Sequence, residues 1–254
     1  MTTTTTSRDL ADAGVVFLVV SGKMASGKDT VAPAVMAALG LDLADCAHHY
    51  YANVLKDEVD GILAHMRAFA AVTPDPTSAA ARAALAVSLA AAFDLPADAA
   101  EMYAGELYTE ALNSPTLHAR ERTAVMRQAL QHLGGKVRRE QDANYLASRA
   151  LASVTADLAA GVSVFATDAR FPNEVTGARA LGAFTVRLEI SSAEQLRRLS
   201  SRDGLTVDPA VLAHSTETAL DEYTGFDVVV NNEGALADTV ATIVAAYRAA
   251  GEAR

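Results

Sequence analysis

The sequence offers a phosphate-binding loop close to its N-terminus. The stretch from Gly22 to Lys28, GKMASGK, matches G-x-x-x-x-G-K. Glycines at these positions let the backbone wrap around a phosphate, so that successive N–H groups and a helix N-terminus face its oxygens. The lysine of such a loop places a positive charge at the β- and γ-phosphates. We therefore expect a nucleoside triphosphate to bind here.

The two residues after the loop lysine bear on metal binding. Phosphate loops usually carry Ser or Thr directly after the lysine, but this chain has Asp29, followed by Thr30. A carboxylate beside several phosphate charges is unfavourable unless a cation lies between them. The sequence therefore predicts that Asp29 contacts Mg²⁺, directly or through water, or holds a neighbouring basic group, and Thr30 is the second candidate for contact with the metal. Capping of the following helix by Asp29 is the alternative.

The acidic residue expected after a second buried strand favours transfer over hydrolysis. Asp168 ends a strand-like run and is followed by Ala169 and Arg170. Motor-type ATPases usually place Glu after this aspartate to activate water, and no lysine of this chain lies in the Asn/Thr-Lys-x-Asp string that reads guanine. Transfer of a phosphoryl group to a bound acceptor fits better, because positioning and charge neutralisation then do most of the catalysis.

Cations that could neutralise the moving group form three clusters. Lys56 stands alone on a predicted helix. Residues 120–139 carry six basic residues and one acid, a net charge of +5. Arg197, Arg198 and Arg202 follow a later predicted strand. Arginine suits phosphate because its planar fork bonds two oxygens at once.

Strands and helices alternate along the chain and would position these groups. Strand-like apolar runs lie at 15–20, 162–166, 184–190 and 226–230, with a further short strand before Tyr51. Helical patterns lie at 31–39, 53–70, 141–159, 173–181, 193–201 and 235–250. This alternation predicts an α/β P-loop NTPase fold, with a doubly wound, mostly parallel sheet of about five strands.

Composition limits the partners. The 21 basic and 31 acidic residues give a net charge of −10, which repels a nucleic acid polymer or an anionic membrane surface. No apolar run reaches the roughly 18 residues that a membrane span needs. The single cysteine, Cys46, excludes an internal disulfide and favours a cytoplasmic location. The oligomeric state stays open, with a homodimer among the options.

Four stretches taken together resemble the phage-type deoxynucleoside monophosphate kinases. They are SGKMASGKDT at 21–30, YANVLK at 51–56, RQALQHLG at 127–134 and DARFPNE at 168–174. The segments 214–217 and 231–234 also look like loops of that family. The resemblance implies phosphorylation of a deoxynucleoside monophosphate (dNMP) by ATP, with Mg²⁺ as cofactor.

The resemblance also implies roles for individual residues. The ATP site would comprise Met24, Ala25, Ser26, Gly27, Lys28, Asp29, Thr30, Arg198 and Asn232. The catalytic groups would be Lys28, Asp168, Arg170 and Arg202. The dNMP site would comprise Lys23, Lys56, Arg127, Gln131, Arg138, Asp168 and Arg170.

The predicted organisation follows from these assignments. Residues 1–14 are a disordered tail, and residues 15–254 form one P-loop kinase domain. Within it, 53–140 is a helical acceptor-binding region, 71–119 is an acidic, alanine-rich insert, and 194–217 is a lid.

Two alternative functions stay open. Phosphomevalonate kinases share the Gly-Lys-Asp loop and dephospho-coenzyme A kinases share the general layout, so the acceptor could be a phosphate that is not a nucleotide. A nucleotide-binding module without turnover is the other, although a pure binder has no need of a second set of arginines.

Overall fold

In a computed structural model of the chain, the apolar run before the loop forms the middle strand of a parallel sheet. The structure describes residues 10, 13–121, 123–203 and 212–252, with the backbone alone for residues 202 and 203. Its five strands are β1 (Phe17–Gly22), β2 (Ala47–His49), β3 (Val164–Ala166), β4 (Phe184–Glu189) and β5 (Val228–Asn231). They are all parallel, in the order β2-β3-β1-β4-β5. The predicted P-loop α/β fold with a five-stranded sheet is confirmed.

The helices agree with the predicted alternation and add several in the middle of the chain. Those described are α1 (Lys28–Ala38), α2 (Tyr51–Val72), α3 (Ala79–Phe93), α4 (Ala97–Met102), α5 (Tyr108–Asn113), α6 (Ala124–His132), α7 (Arg139–Gln141), α8 (Tyr145–Ala159), α9 (Pro172–Ala180), α10 (Ser192–Asp203), α11 (Ser215–Thr218) and α12 (Leu236–Glu252). Two π-helical turns, Tyr103–Leu107 and Leu133–Arg138, join neighbouring helices.

The helix predicted over 141–159 is confirmed from Tyr145 to Ala159, but it begins four residues later than predicted, because the chain leaves the helical conformation between α7 and α8. Asp142 is extended, with φ −151° and ψ 116°. Its carboxylate accepts the backbone N–H of Asn144 at 2.8 Å. Aspartate competes in this way with the helical hydrogen bonds of the backbone. Periodicity alone does not reveal such a local competitor.

Two compact units make up the chain. The first, here the sheet unit, is Met1–Tyr51 with Ala147–Arg254, and the second, here the helical unit, is Ala52–Leu146. The core of the sheet unit contains alternate residues of β1, Leu18 and Val20, packed with Val35 of α1 and Ile243 of α12. This alternation is typical of a strand whose successive side chains point to opposite faces.

The alanine-rich segment 71–119 contributes directly to the core of the helical unit. Leu85, Leu89, Tyr103 and Tyr108 are fully buried there. They belong to one apolar cluster with the predicted inner face of α2, namely Val59, Ile62, Leu63 and Met66. The segment is therefore an integral part of this unit's packing.

No helix in the described ranges is both long and apolar enough to cross a membrane.

We expect Leu89→Ala to destabilise the protein by about 2–5 kcal/mol, because it opens a cavity in the core of the helical unit. Val87, two residues away on α3, is 72% exposed, whereas Leu89 is 0% exposed. The matched control Val87→Ala should therefore change stability by no more than about 0.5 kcal/mol. Urea unfolding measures both. Equal effects would contradict a core role for the segment.

Candidate nucleotide-binding site

The loop between β1 and α1 has a shape that requires its glycines. A Cβ on Gly22 would lie 2.2 Å from Ser26 Oγ, so a side chain there would clash within the loop. Gly27 has φ +91° and precedes α1, and a Cβ on it would lie 2.6 Å from Asn232 Nδ2. Ala25 also has a positive φ, +62°. Such a conformation is uncommon outside glycine and is typical of functional loops.

Lys28 is the first residue of α1 and is buried, with 8% of its surface exposed. Burial lowers its pKa, and the positive charge of Arg170 lowers it further, whereas Asp29, Glu217 and Asp168 raise it. Burial and a like charge both disfavour a buried ammonium group. An anion bound near Lys28 and Arg170 would stabilise both positive charges and so offset the lowering of the Lys28 pKa by burial and by Arg170.

Ser26 provides a direct test of whether a phosphate suits the loop. Its side chain is fully buried, and its Oγ has no hydrogen-bond partner within the described ranges. A buried hydroxyl without a partner costs about 1–3 kcal/mol. A phosphate oxygen within reach of the loop would satisfy it, so the loop fits a phosphate group.

Two predicted ATP-binding residues lie against one side of the loop. Asn232 donates from Nδ2 to the carbonyl oxygen of Ser26 at 2.7 Å and accepts from Thr239 Oγ1 at 2.8 Å. Arg198 donates from Nη1 to the carbonyl oxygen of Ala25 at 3.3 Å and from Nη2 to that of Asn232 at 2.6 Å. The sheet unit therefore brings Arg198 and Asn232 to the loop, and their role in binding ATP stays a prediction.

The DARFPNE segment positions Asp168 and Arg170 after β3. Asp168 Oδ1 accepts the backbone N–H of Tyr51 at 2.8 Å. Glu174 Oε2 accepts the backbone N–H groups of Arg170 at 2.7 Å and Phe171 at 3.1 Å, which fixes the turn into α9. The Arg170 side chain donates from Nη1 to Glu217 Oε1 at 2.6 Å.

The predicted metal residues, Asp29 and Thr30, lie exposed in the first turn of α1. The described part of the chain has no group of three or more His, Cys, Asp or Glu side chains that could hold a metal ion. Magnesium usually keeps several waters and binds through one or two carboxylates together with substrate phosphates. One carboxylate and one hydroxyl therefore fit Mg²⁺ that arrives with ATP.

The predicted acceptor residues divide between the two units. Lys23, Asp168 and Arg170 belong to the sheet unit, and Lys56, Arg127, Gln131 and Arg138 belong to the helical unit. Arg127 and Gln131 are both exposed on α6 and lie one turn apart, so they share a face of that helix. Arg202 lies in α10, and its side chain is outside the described residues.

Arg138 makes contacts that sequence reasoning missed. It is 3% exposed and donates all of its guanidinium N–H groups to partners within the helical unit. The partners are Glu58 Oε1, Gln141 Oε1 and the carbonyl oxygens of Phe93 and Asp94. These contacts are those of a structural ion pair, and binding of the acceptor by Arg138 stays a prediction.

Acids on α2 also compensate much of the +5 segment. Arg120 lies 3.6 Å from Asp57 and 3.5 Å from Asp60, in addition to the pairing of Arg138 with Glu58. A charge count within one segment cannot include partners that the fold brings from sixty or more residues away. The basic segment therefore carries less uncompensated charge than its composition indicates.

The structure places three residues at the loop to which no individual role was assigned from the sequence. Glu217, the last residue of the predicted lid, and Asp221, four residues beyond it, contact loop residues, and Arg187 is buried on β4 beside Ser21. Two signals pointed to them. The two acids stand four residues apart, and Arg187 is a charged residue in the middle of a predicted strand.

Comparisons with known proteins give limited similarity. No protein-family model matches the chain. An uncharacterized protein, ORF77, of Ictalurid herpesvirus 1 (strain Auburn) is 31% identical over 139 residues, which cover 54% of this chain and 53% of that protein. The match thus spans about half the length of this relative. A gluconokinase from Sinorhizobium meliloti 1021 aligns over 94% of both chains, with 16% identity and a TM-score of 0.45.

Glu194 should titrate far below an ordinary glutamate. Hydrogen bonds from Arg197 and then Arg198 lower its pKa from 4.5 to about 2. Because the folded-state pKa is depressed, the stabilisation is present above pH 4.5 and is lost as the pH falls towards about 2. Carboxyl ¹³C NMR should show this midpoint, and Arg197→Gln should raise it. The exposed control Arg248→Gln on α12 should leave it unchanged; an ordinary midpoint in the wild type would contradict the pairing.

Glu58→Gln should destabilise the protein by about 3–5 kcal/mol, because it leaves the buried Arg138 without its charged partner. The matched control is Glu140→Gln, whose partner Lys136 lies 3.7 Å away on the surface, with 74% and 65% of the Lys136 and Glu140 side chains exposed. An exposed pair contributes about 0–1 kcal/mol. Urea unfolding compares the two, and similar losses would refute a structural role for Arg138.

Proposed function

We propose that this protein transfers the γ-phosphoryl group of ATP to a deoxynucleoside 5′-monophosphate, giving a dNDP and ADP. The observation that carries the proposal is the link between the phosphate loop and Arg170. One carboxylate, Glu217, accepts both the backbone N–H of Met24 and the Arg170 side chain, each at 2.6 Å. The loop and an arginine from a different element therefore point to the same place.

Cations from further elements support an anionic ligand at the loop. Arg187 of β4 donates to Ser21 Oγ at 3.2 Å, and Arg198 of α10 donates to the carbonyl oxygen of Ala25 at 3.3 Å. Together with Lys28 and Arg170, these residues bring four positive charges to one loop in a chain whose net charge is −10. Such a local concentration of like charge favours a ligand that carries several negative charges.

The reaction follows from positioning and charge. An oxygen of the acceptor phosphate forms a bond to the γ-phosphorus of ATP, the bond from that phosphorus to the β–γ bridging oxygen breaks, and ADP leaves. Lys28 and the loop N–H groups would hold the β- and γ-phosphates, and Arg170 would orient the transferred group. Asp29 and Thr30 would hold Mg²⁺, which neutralises phosphate charge when bound.

The choice of a dNMP as acceptor is supported by the resemblance of the four sequence stretches to the phage-type kinases. Arg127 and Gln131, exposed on one face of α6, are suited to bind a phosphate and a base edge. Asp168 and Arg170 are followed by alanine and phenylalanine respectively, so neither has the directly following glutamate that activates water in motor-type ATPases. This absence favours transfer over hydrolysis.

Lys28→Ala should reduce kcat by about 10²–10³-fold, because it removes a positive charge from the phosphates in the transition state. The measurement is a coupled ADP-release assay with ATP and each dNMP. The matched control is Arg248→Ala, which removes an exposed cation on α12 and should leave kcat unchanged.

The same assay distinguishes the other candidates. Phosphomevalonate and dephospho-coenzyme A are offered beside the dNMPs, and activity on one of these alone would replace the proposed acceptor. Binding of ATP with no product from any acceptor would indicate a binding module. Turnover retained by Lys28→Ala would refute the role of the loop.

A further inference from the structure

We propose that Glu217 is a positioning residue, which fixes Arg170 and the phosphate loop relative to each other for phosphoryl transfer. The inference rests on the proposed function and deepens it, because it names the group that sets the geometry of that site. Glu217 lies in α11 and is the last residue of the predicted lid and of the segment 214–217, and no role of its own was assigned to it from the sequence.

Both oxygens of the Glu217 carboxylate are engaged. Oε2 accepts the backbone N–H of Met24, and Oε1 accepts Nη1 of Arg170, each at 2.6 Å. The Glu217 side chain is 4% exposed, whereas that of Arg170 is 24% exposed. A buried carboxylate with two short, charge-assisted bonds is held firmly, so it can fix the partly exposed arginine.

A second acid, four residues later and beyond the end of α11, supports the same arrangement. Asp221 Oδ2 lies 2.8 Å from Lys23 Nζ, and Oδ1 accepts Nη2 of Arg187 at 3.2 Å. Arg187 in turn donates to Ser21 Oγ, at the end of β1. The segment 217–221 therefore contacts the loop at its first two variable positions, and it is linked to the end of β1 through Arg187.

The charges explain why the position of Arg170 needs a support. Lys23, Arg170 and Arg187 carry three positive charges, and Glu217 and Asp221 carry two negative charges, so the group has a net charge of +1. Without Glu217, repulsion from the neighbouring cations would favour rotation of Arg170 towards solvent. A displacement of about 1 Å in a positioning group can cost about 10²-fold in rate.

The first test separates positioning from general stability. Glu217→Gln keeps the shape of the side chain and removes its charge, and we expect kcat to fall about 10–10²-fold while KM for ATP changes by less than about threefold. The matched control is Glu222→Gln, which removes the same charge from an exposed position in the same segment and should leave kcat unchanged.

A double-mutant cycle identifies the route of the effect. If Glu217 acts through Arg170, the variant that combines Glu217→Gln with Arg170→Gln should lose no more activity than Arg170→Gln alone. Independent, multiplicative losses would overturn the inference. So would a loss from Glu217→Gln no larger than that from the control.

Hydrogen exchange at the Met24 amide tests the role of Glu217 without an activity assay, and therefore separately from the proposed function. The Met24 amide should exchange with solvent at least about tenfold faster in Glu217→Gln, while the global unfolding midpoint stays close to that of the wild type. Glu217→Asp retains the charge on a shorter side chain and should accelerate the same amide, which provides a second variant if the first folds poorly. If the wild type phosphorylates no acceptor, the proposed function fails while the Met24 amide still decides this inference. Unchanged exchange in both variants would refute it.

Discussion

Parallel pairing of β1 with β3 and β4 is the constraint on which the rest of the site depends. Val19 lies opposite Ala166 on one side and Thr185 on the other, so all three strands run to the same edge of the sheet. The phosphate loop, the Asp168–Arg170 turn and α10 follow these strands directly. Groups that are more than 140 residues apart in sequence therefore meet at this edge of the sheet. Ligands of open α/β sheets bind at this carboxyl edge for the same reason.

Several cations near the loop each have an acidic partner, and this partner fixes the position of the cation. Glu217 holds Arg170, Asp221 holds Lys23, and Glu194 holds Arg198. Ion pairs add little to stability where both partners are as exposed as Lys23 and Asp221. They do restrict the rotamers of long side chains, and this restriction lowers the entropy lost when a phosphate binds. A net charge of −10 is thus compatible with a small anionic ligand, since many of the acids serve as supports for the cations.

The sequence was sufficient for the features that local patterns encode. Apolar runs and glycine spacing predicted the strands and the loop. Arg198 and Asn232, which the resemblance implies for the ATP site, lie beside that loop, and their role in binding ATP stays a prediction. The partners of the cations could not be predicted in this way. Met24 and Glu217 are 193 positions apart, and Arg138 and Glu58 are 80 apart. No periodicity connects such pairs, and only the tertiary fold brings them together. The break at Asp142 was missed because the Asp142 carboxylate accepts the backbone N–H two residues later, and this hydrogen bond competes with those of the helix.

The contrast between Arg138 and Arg127 shows what distinguishes an arginine that is open to a ligand from a structural one. Both lie in the same basic segment, and the composition of that segment does not distinguish them. Arg138 is buried and donates every guanidinium N–H within the helical unit. A phosphate would therefore have to displace Glu58, and this would cost much free energy because it would break a buried ion pair. Arg127 is exposed on α6, one turn from Gln131, so a phosphate can reach its planar fork without breaking a buried pair. Within the helical unit, the face of α6 is therefore the stronger candidate for contact with the acceptor.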